Sequence, residues 1–368
     1  MTGIAASVLA AAQTVADEFV TATDGVTVDA AEILTGRAAL LGLAAHGRVS
    51  AGGATRLLPT ADGGWCALTL SRPDDVATVP ALVGADDEVD AWPAVEEWLA
   101  GQRACDAAER ARLLGLPVAV LGETTAAPPR IRALGAPKDG PLAGMLVADL
   151  SSMWAGPLCG QLLARAGAIV VKVESRGRPD GTRAGERAFF DWMNGGKLSY
   201  AVDFGEYHAI AALLKVADVV IEASRPAALA RRGLGPDSVA PRDGRVWLRI
   251  TGHGAVGPQA DWVAFGDDAA VSGGLVGYRD GAPVFTGDAI ADPLTGLHAA
   301  HAVAASRNRG GGELIEFSMA AVAAGYAAHP DGGETSPVRP SPGPPARALG
   351  ADNAAVEQLI RERTTATC

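Results

Sequence analysis

The stretch Gly287-Asp288-Ala289-Ile290-Ala291-Asp292-Pro293-Leu294-Thr295-Gly296-Leu297-His298 holds the residues best suited to covalent chemistry. Asp292 before Pro293 is a helix start: the aspartate caps, proline takes the first turn, and apolar residues continue to Val303. A carboxylate at a helix N-terminus is favoured as the anion by the dipole and the open N–H groups, and a nucleophile must be ionised. Capping and nucleophilic attack are therefore compatible roles for one side chain. Asp288 reads as shaping the turn before the helix. His298 and His301 stand at i and i+3, whereas a zinc pair on a helix needs i and i+4 with a third ligand, so no metal is expected. Asp267 and Asp268 read as a solvated turn. Arg176 and the pair Arg231-Arg232, each taken alone, read as surface charge.

The elements that must position these groups centre on residues 145–203. Three apolar runs, Met145–Asp149, Ile169–Glu174 and Leu198–Asp203, are rich in Val, Ile and Leu and read as strands of a parallel sheet buried on both faces. Pro157 to Arg165 supplies a helix between the first two, giving a βαβ unit. The loop Ser151-Ser152-Met153-Trp154-Ala155-Gly156 then lies at the carboxyl end of the first strand, where open α/β sheets bind ligands. A dinucleotide site is excluded by spacing, because only Gly156 of the three required glycines is in place. No phosphate-cradling G-x-x-x-x-G-K-[ST] occurs either.

The residues Asp149-Leu150-Ser151, Ala155-Gly156-Pro157, Gly167-Ala168, Val171-Lys172-Val173-Glu174, Thr182-Arg183, Asn194 and Lys197 together resemble the start of the family III CoA-transferases. That family includes formyl-CoA transferase and is related to α-methylacyl-CoA racemase. The resemblance implies an open, mostly parallel Rossmann-like α/β sheet with a smaller α+β domain. It makes Asp292, four residues before Gly296-Leu297-His298, the catalytic aspartate. It places Met153, Trp154 and Ala155 in the loop that meets coenzyme A, chiefly through backbone. Arg176 would lie near the adenine and Arg231 would be a second CoA-binding arginine. The implied reaction moves CoA between an acyl-CoA and a free carboxylic acid through an aspartyl mixed anhydride and an aspartyl-CoA thioester, with oxyanion support expected from N–H groups near Gly273 and Gly274. A homodimer is implied as well.

Departures from the family leave alternatives. The histidine of the racemase branch corresponds to Ala264, and no histidine occurs between His253 and His298, which argues against moving an α-proton between two faces. A racemase and a catalytically silent CoA-binding subunit nevertheless remain the competing readings. No counterpart of the glycine-rich lid is evident; Gly310-Gly311-Gly312 reads as a turn.

The bulk properties are consistent with this class. A net charge of −11 argues against nucleic acid, so local basic clusters must meet any phosphate. Four cysteines (Cys66, Cys105, Cys159, Cys368) form no C-x-x-C pair, so neither a disulfide framework nor a zinc site is indicated. The Ala-rich first twenty residues lack a basic leader and read as a helix; no run reaches spanning length, and a cytoplasmic protein is expected. Residues 1–121 read as the small α+β domain, with an Asp62-Gly63 hairpin, helices over 76–83, 92–99 and 106–114, and a Gly115-Leu116-Pro117 turn. Residues 122–143, rich in Pro and Gly, read as a linker, and 144–368 as the large CoA-binding domain. That order puts the small domain first, whereas the resemblance implies that it ordinarily follows the large domain's first half.

Overall fold

The structure, a computed structural model, describes residues 3–23, 26–44, 46–203, 205, 207–328 and 335–365. Cys368 and residues 330–334 of the Pro- and Gly-rich stretch lie outside the described residues.

Two helices open the chain, α1 (Ala6–Thr23) and α2 (Ala30–Leu41). Asp29 caps α2 by accepting the Ala31 N–H at 2.8 Å, and Gly42 closes it in the left-handed conformation. A small antiparallel sheet follows, built from β1 (Thr55–Pro59), β2 (Trp65–Thr69) and β3 (Val118–Val120). The β1–β2 turn is the expected Asp62-Gly63, with Gly63 at φ +75° inside a longer loop. Helices α3 (Pro73–Ala77), α4 (Val79–Val83), α5 (Ala91–Ala100) and α6 (Ala104–Leu113) lie between β2 and β3. The helix expected over 76–83 is broken at Thr78, because Pro80 has no N–H to return to the Val76 carbonyl.

The second half alternates strand and helix: β4 (Arg130–Ala133), β5 (Leu146–Asp149), α7 (Ala155–Arg165), β6 (Ile169–Ser175), α8 (Arg187–Asn194), β7 (Leu198–Val202), α9 (His208–Val216), β8 (Val219–Glu222), α10 (Pro226–Ala230) and β9 (Val246–Thr251). It continues with α11 (Gly266–Ser272), the short hairpin β10 (Gly277–Arg279) and β11 (Ala282–Val284), α12 (Ala291–Asn308), β12 (Glu313–Ser318), α13 (Met319–Tyr326) and α14 (Asn353–Thr365). Seven strands form one sheet in the order β4-β12-β9-β8-β5-β6-β7, parallel throughout except for β4 at one edge. Side chains alternate across it. Val147, Val219, Ile221 and Leu248 face α7 and α12, while Leu146, Ala148, Val220 and Trp247 face the side covered by α9 and α14. Chain order reverses between β5 and β8, so the loops leaving those two strands flank the switch point where such sheets hold ligands.

Two stretches sit differently from the sequence reading. Helices α1 and α2, expected with the small domain, bury Val8, Phe19, Ile33 and Leu34 in the same core as Leu158, Leu294 and Leu297 of the large sheet's helices. Their apolar faces find the Ala-rich face of α12 rather than the small sheet. Residues 130–133, inside the expected linker, add β4 to the large sheet through backbone pairing with β12; this edge strand is exposed along its length and carries Arg130 and Arg132.

The motif residues at the start of the sheet form a buried charge network. Lys197 Nζ donates to Asp149 Oδ2 at 2.9 Å, to the Pro157 carbonyl at 2.8 Å and to Asn194 Oδ1 at 3.2 Å. Burial alone would push the Asp149 carboxyl up, but Lys197 and Lys172 hold it below its usual range. Gly160 of α7 must be a glycine here, since a Cβ would stand 2.8 Å from Asp149 Oδ2. Lys197→Met strands a buried carboxylate and is expected to cost about 3–5 kcal/mol, read as a lower urea midpoint with unchanged slope.

Candidate active site

Asp292 sits in the first turn of α12 but does not cap it. The helix begins at Ala291, and the Asp292 N–H itself donates to the Ala289 carbonyl at 2.9 Å across a turn in which Gly287 and Ala289 have positive φ. That extra half-turn frees the side chain from its own helix. The carboxylate instead accepts the backbone N–H groups of Ala155, first residue of α7, and Gly266, first residue of α11. Three helix starts therefore converge on one half-buried carboxylate. Gly266 has to approach closely: a Cβ there would lie 2.4 Å from Asp292 Oδ2 and 2.2 Å from the Ala289 carbonyl oxygen.

Burial pushes the Asp292 carboxyl up to about 7, against the pull of the Ala155 N–H and of Arg37, while Asp267 adds to the push. Asp267, the second residue of α11, accepts the Ala289 N–H at 2.9 Å and is itself pushed up to about 6 by burial and by Asp288. Asp268 is wholly buried. It caps α11 by accepting the Phe265 N–H at 3.0 Å, and it takes the Thr69 hydroxyl of β2 at 2.8 Å; burial lifts it to about 7. The solvated turn expected for Asp267 and Asp268 is thus a buried joint between α11, the turn before α12 and the small sheet. Asp288 is also buried and pairs with Arg37 Nη1 of α2 at 2.6 Å.

The loop ahead of α7 is held by the other motif residues. Lys172 Nζ donates to the Ser151 carbonyl and to Asp180 Oδ2, the latter at 2.7 Å. Asp180 in turn accepts the Met153 N–H at 3.2 Å, with Met153 at φ +74°. Glu174 accepts the Asp180 N–H at 2.9 Å and pairs with Arg183 at 2.6 Å. This chain of contacts from β6 fixes the backbone that presents the Ala155 N–H to Asp292.

Residues 142–341, more than half of the sequence, match the model of CoA-transferase family III. The chain belongs to that family. It is 34% identical over 205 residues to a succinate–glutarate CoA-transferase of Agrobacterium fabrum, covering 49% of this chain and 51% of that protein. It is 34% identical over 173 residues to a formyl-CoA:oxalate CoA-transferase of Afipia carboxidovorans, covering 43% and 41%. Among solved structures, a CaiB/BaiF family protein from Brucella suis is similar at 30% identity over 52% of this chain and 56% of that one, with a TM-score of 0.46. The chain spans about half the length of the curated relatives it matches.

The remaining residues singled out from this family III sequence fall into two groups. Ala155 contributes its N–H directly to Asp292. Trp154, next to it, is buried edge-on against Phe189 of α8 with centroids 5.4 Å apart, while the Met153 side chain is exposed. Arg176 and Arg231 are both exposed, in the connection after β6 and at the end of α10, on the carboxyl side of the parallel strands and away from the Asp292 contacts. Gly273 and Gly274 cannot serve as the expected oxyanion donors, because their N–H groups already bond the Ala269 and Val271 carbonyls at 3.1 and 2.9 Å. His298 Nε2 meets the Tyr326 hydroxyl at 2.8 Å and is pushed down to about 4 by burial; His301 lies 3.6 Å from Glu18. Ala264 packs over Gly252. The glycines 310–312, all at positive φ, turn the chain from α12 into β12, about 24 Å along the helix from Asp292, so they do not cover it.

Arg37 was not singled out by sequence reasoning; a lone cation in a mostly apolar helix whose only other charge is Glu32 was the only hint. With carboxyl-¹³C aspartate, one resonance lost in Asp292→Asn and another lost in Asp268→Asn are each expected to titrate near pH 7, ionised above and protonated below. A midpoint near 4 for Asp292 would contradict the environment described. Gly266→Ala is expected to move the Asp292 midpoint upward by displacing one of its two N–H donors.

Proposed function

We propose that this protein transfers CoA between an acyl-CoA and a free carboxylic acid, with Asp292 as nucleophile. The observation that carries the reading is the Asp292 carboxylate itself, held by two backbone N–H groups at the start of α7 and α11 beside the switch point of the sheet. Membership of the family and the transferase names of its relatives support the reaction class. An Asp292 oxygen attacks the thioester carbonyl, forming the mixed anhydride and expelling CoA thiolate. The thiolate then attacks the aspartyl carbonyl, giving aspartyl-CoA thioester and releasing the donor acid. The acceptor carboxylate attacks that thioester, a second anhydride forms, and returning thiolate at its acyl carbon yields the new acyl-CoA and restores Asp292. The thiolate expelled in the first and third displacements is the attacking group in the second and fourth, and one carboxylate enters for each that leaves, so no external base is consumed over the cycle.

CoA binding is assigned to the exposed Met153 side chain and the surface of the loop Met153, Trp154 and Ala155, whose Met153 and Ala155 N–H groups are engaged by Asp180 and Asp292, with Arg176 and Arg231 for its phosphates. These residues leave the carboxyl ends of β5, β6 and β8, which supports a nucleotide stretched over that edge. A homodimer belongs to the same reading and is measured by light scattering.

Asp292→Asn is expected to lower exchange of labelled acid into acyl-CoA by at least about 10³-fold while the fold persists. Exchange by the parent should fall about tenfold per pH unit below about 7, since the nucleophile is then protonated. Hydroxylamine should convert the turnover intermediate to a hydroxamate mapped to Asp292. Undiminished exchange in folded Asp292→Asn sinks the assignment. Solvent deuterium entering the α-carbon of a 2-methylacyl-CoA with no acid acceptor would favour the racemase instead.

A further inference from the structure

The family match begins at residue 142, and the first helices of the chain lie outside it, yet α2 reaches the nucleophile. Arg37 projects from the middle of α2 with its side chain partly exposed. Its Nη1 pairs with Asp288 Oδ1 at 2.6 Å, and its guanidinium carbon stands 5.4 Å from the ring centroids of both Trp154 and Phe189. Asp288 immediately precedes Ala289, whose carbonyl accepts the Asp292 N–H and whose N–H is held by Asp267. Trp154 immediately precedes Ala155, whose N–H binds the Asp292 carboxylate. We propose that Arg37 is a positioning residue for Asp292: one guanidinium grips both walls of the carboxylate's cradle, the turn before α12 through Asp288 and the entry of α7 through the face of Trp154. The proposal rests on Asp292 being the nucleophile.

Arginine suits both contacts at once. Its planar head forms an ion pair in its plane and leaves its face for an aromatic ring, a combination that an ammonium cannot reproduce. The charges that act on Asp292 are Arg37 from α2 and Asp267 from α11; Asp288, in the preceding turn, pairs with Arg37 and acts on Asp267, and the first turn of α7 carries no acidic residue. Arg37 is thus a cation set among three carboxyl groups, those of Asp288, Asp267 and Asp292. Helices α7 and α12 pack directly through Leu158, Leu294 and Leu297, but without its grip the turn before α12 loses its charged tie to the entry of α7, where Asp292 needs the Ala155 N–H to stay ionised near neutral pH. A misplacement on the order of 1 Å at such a group lowers turnover by about 10²-fold.

The test combines a carboxyl-¹³C titration of Asp292, which needs no activity, with exchange kinetics on the full chain. Arg37→Met is expected to raise the Asp292 midpoint by about one pH unit and to lower kcat by about 10–100-fold, with the KM for acyl-CoA within about threefold. Asp288→Asn removes a negative charge and leaves the guanidinium, so the midpoint moves down; kcat nevertheless falls, because the grip on the turn is gone. A role in stability alone would lower Tm without moving the midpoint. An Asp292 midpoint within about 0.3 unit of the parent in folded Arg37→Met overturns the proposal. So does a parent-like kcat in either variant. Should Arg37→Met fail to fold, Arg37→Lys keeps the pair with Asp288 but loses the flat contact with Trp154, and kcat should fall several-fold at unchanged KM; parent-like kcat there overturns the proposal too. Absence of exchange by the parent would sink the transferase reading, and the titration alone would then decide the role of Arg37.

Discussion

A carboxylate taken out of water must find donors or take up a proton, and the architecture around Asp292 answers that constraint. Burial alone drives its carboxyl toward the neutral form. Two backbone N–H groups at the starts of α7 and α11, with Arg37 behind them, oppose that drive and leave the group balanced near neutrality. The balance suits the role proposed for it, attack on a thioester followed by departure. A strongly stabilised anion would attack poorly, whereas a fully desolvated one would stay protonated. Backbone donors have a further advantage over side chains: they are fixed by the helices that carry them and need no reorganisation when charge moves.

Fixing those donors moves the problem outward. The Ala155 N–H points correctly only if the loop from Ser151 to Trp154 is held, and that loop is secured by Lys172, Asp180 and the positive-φ Met153. Lys172 leaves β6, beside β5, so the sheet register transmits directly to the backbone donor of Asp292. One layer deeper, Lys197 and Asp149 tie β5, α7 and β7 together. Such buried pairs contribute little net stability because desolvation offsets their attraction. Their contribution is definition of geometry, since losing either partner leaves an uncompensated charge and only one arrangement satisfies them all.

What the sequence disclosed divides along the same line. The parallel strands were legible because burial on both faces demands continuous Val, Ile and Leu runs, as in Ile169–Glu174. The Asp62-Gly63 turn was legible because positive φ selects glycine. Asp292 itself was marked by its Asp-Pro step and its place before Gly296, although the same step suggested a cap that the structure does not form. Hidden were the features made by distant parts of the chain. Nothing local says that Asp268 would meet Thr69, or that Arg37 would meet Asp288 at a separation of 251 residues. The packing of α1 and α2 on α12 was hidden for a similar reason: an amphipathic helix announces a buried face, not the surface that covers it.

That division bears on what the family match covers. The matched stretch supplies the sheet apart from its edge strand β4, the cradle loop and Asp292, while the residues that brace the cradle from outside, Arg37 and Thr69, lie before it. Bracing from a separate segment has a mechanical consequence. The turn before α12 is pinned from above by α2 and from the side by α11, so Asp292 can shift only if two elements yield together. The freedom of the Asp292 carboxylate is then set less by its own helix than by how firmly the first fifty residues pack against α7 and α12. A substitution at Ile33 or Leu34, buried on α2 and remote in sequence from the chemistry, would reach the carboxylate through Arg37 with no contact of its own.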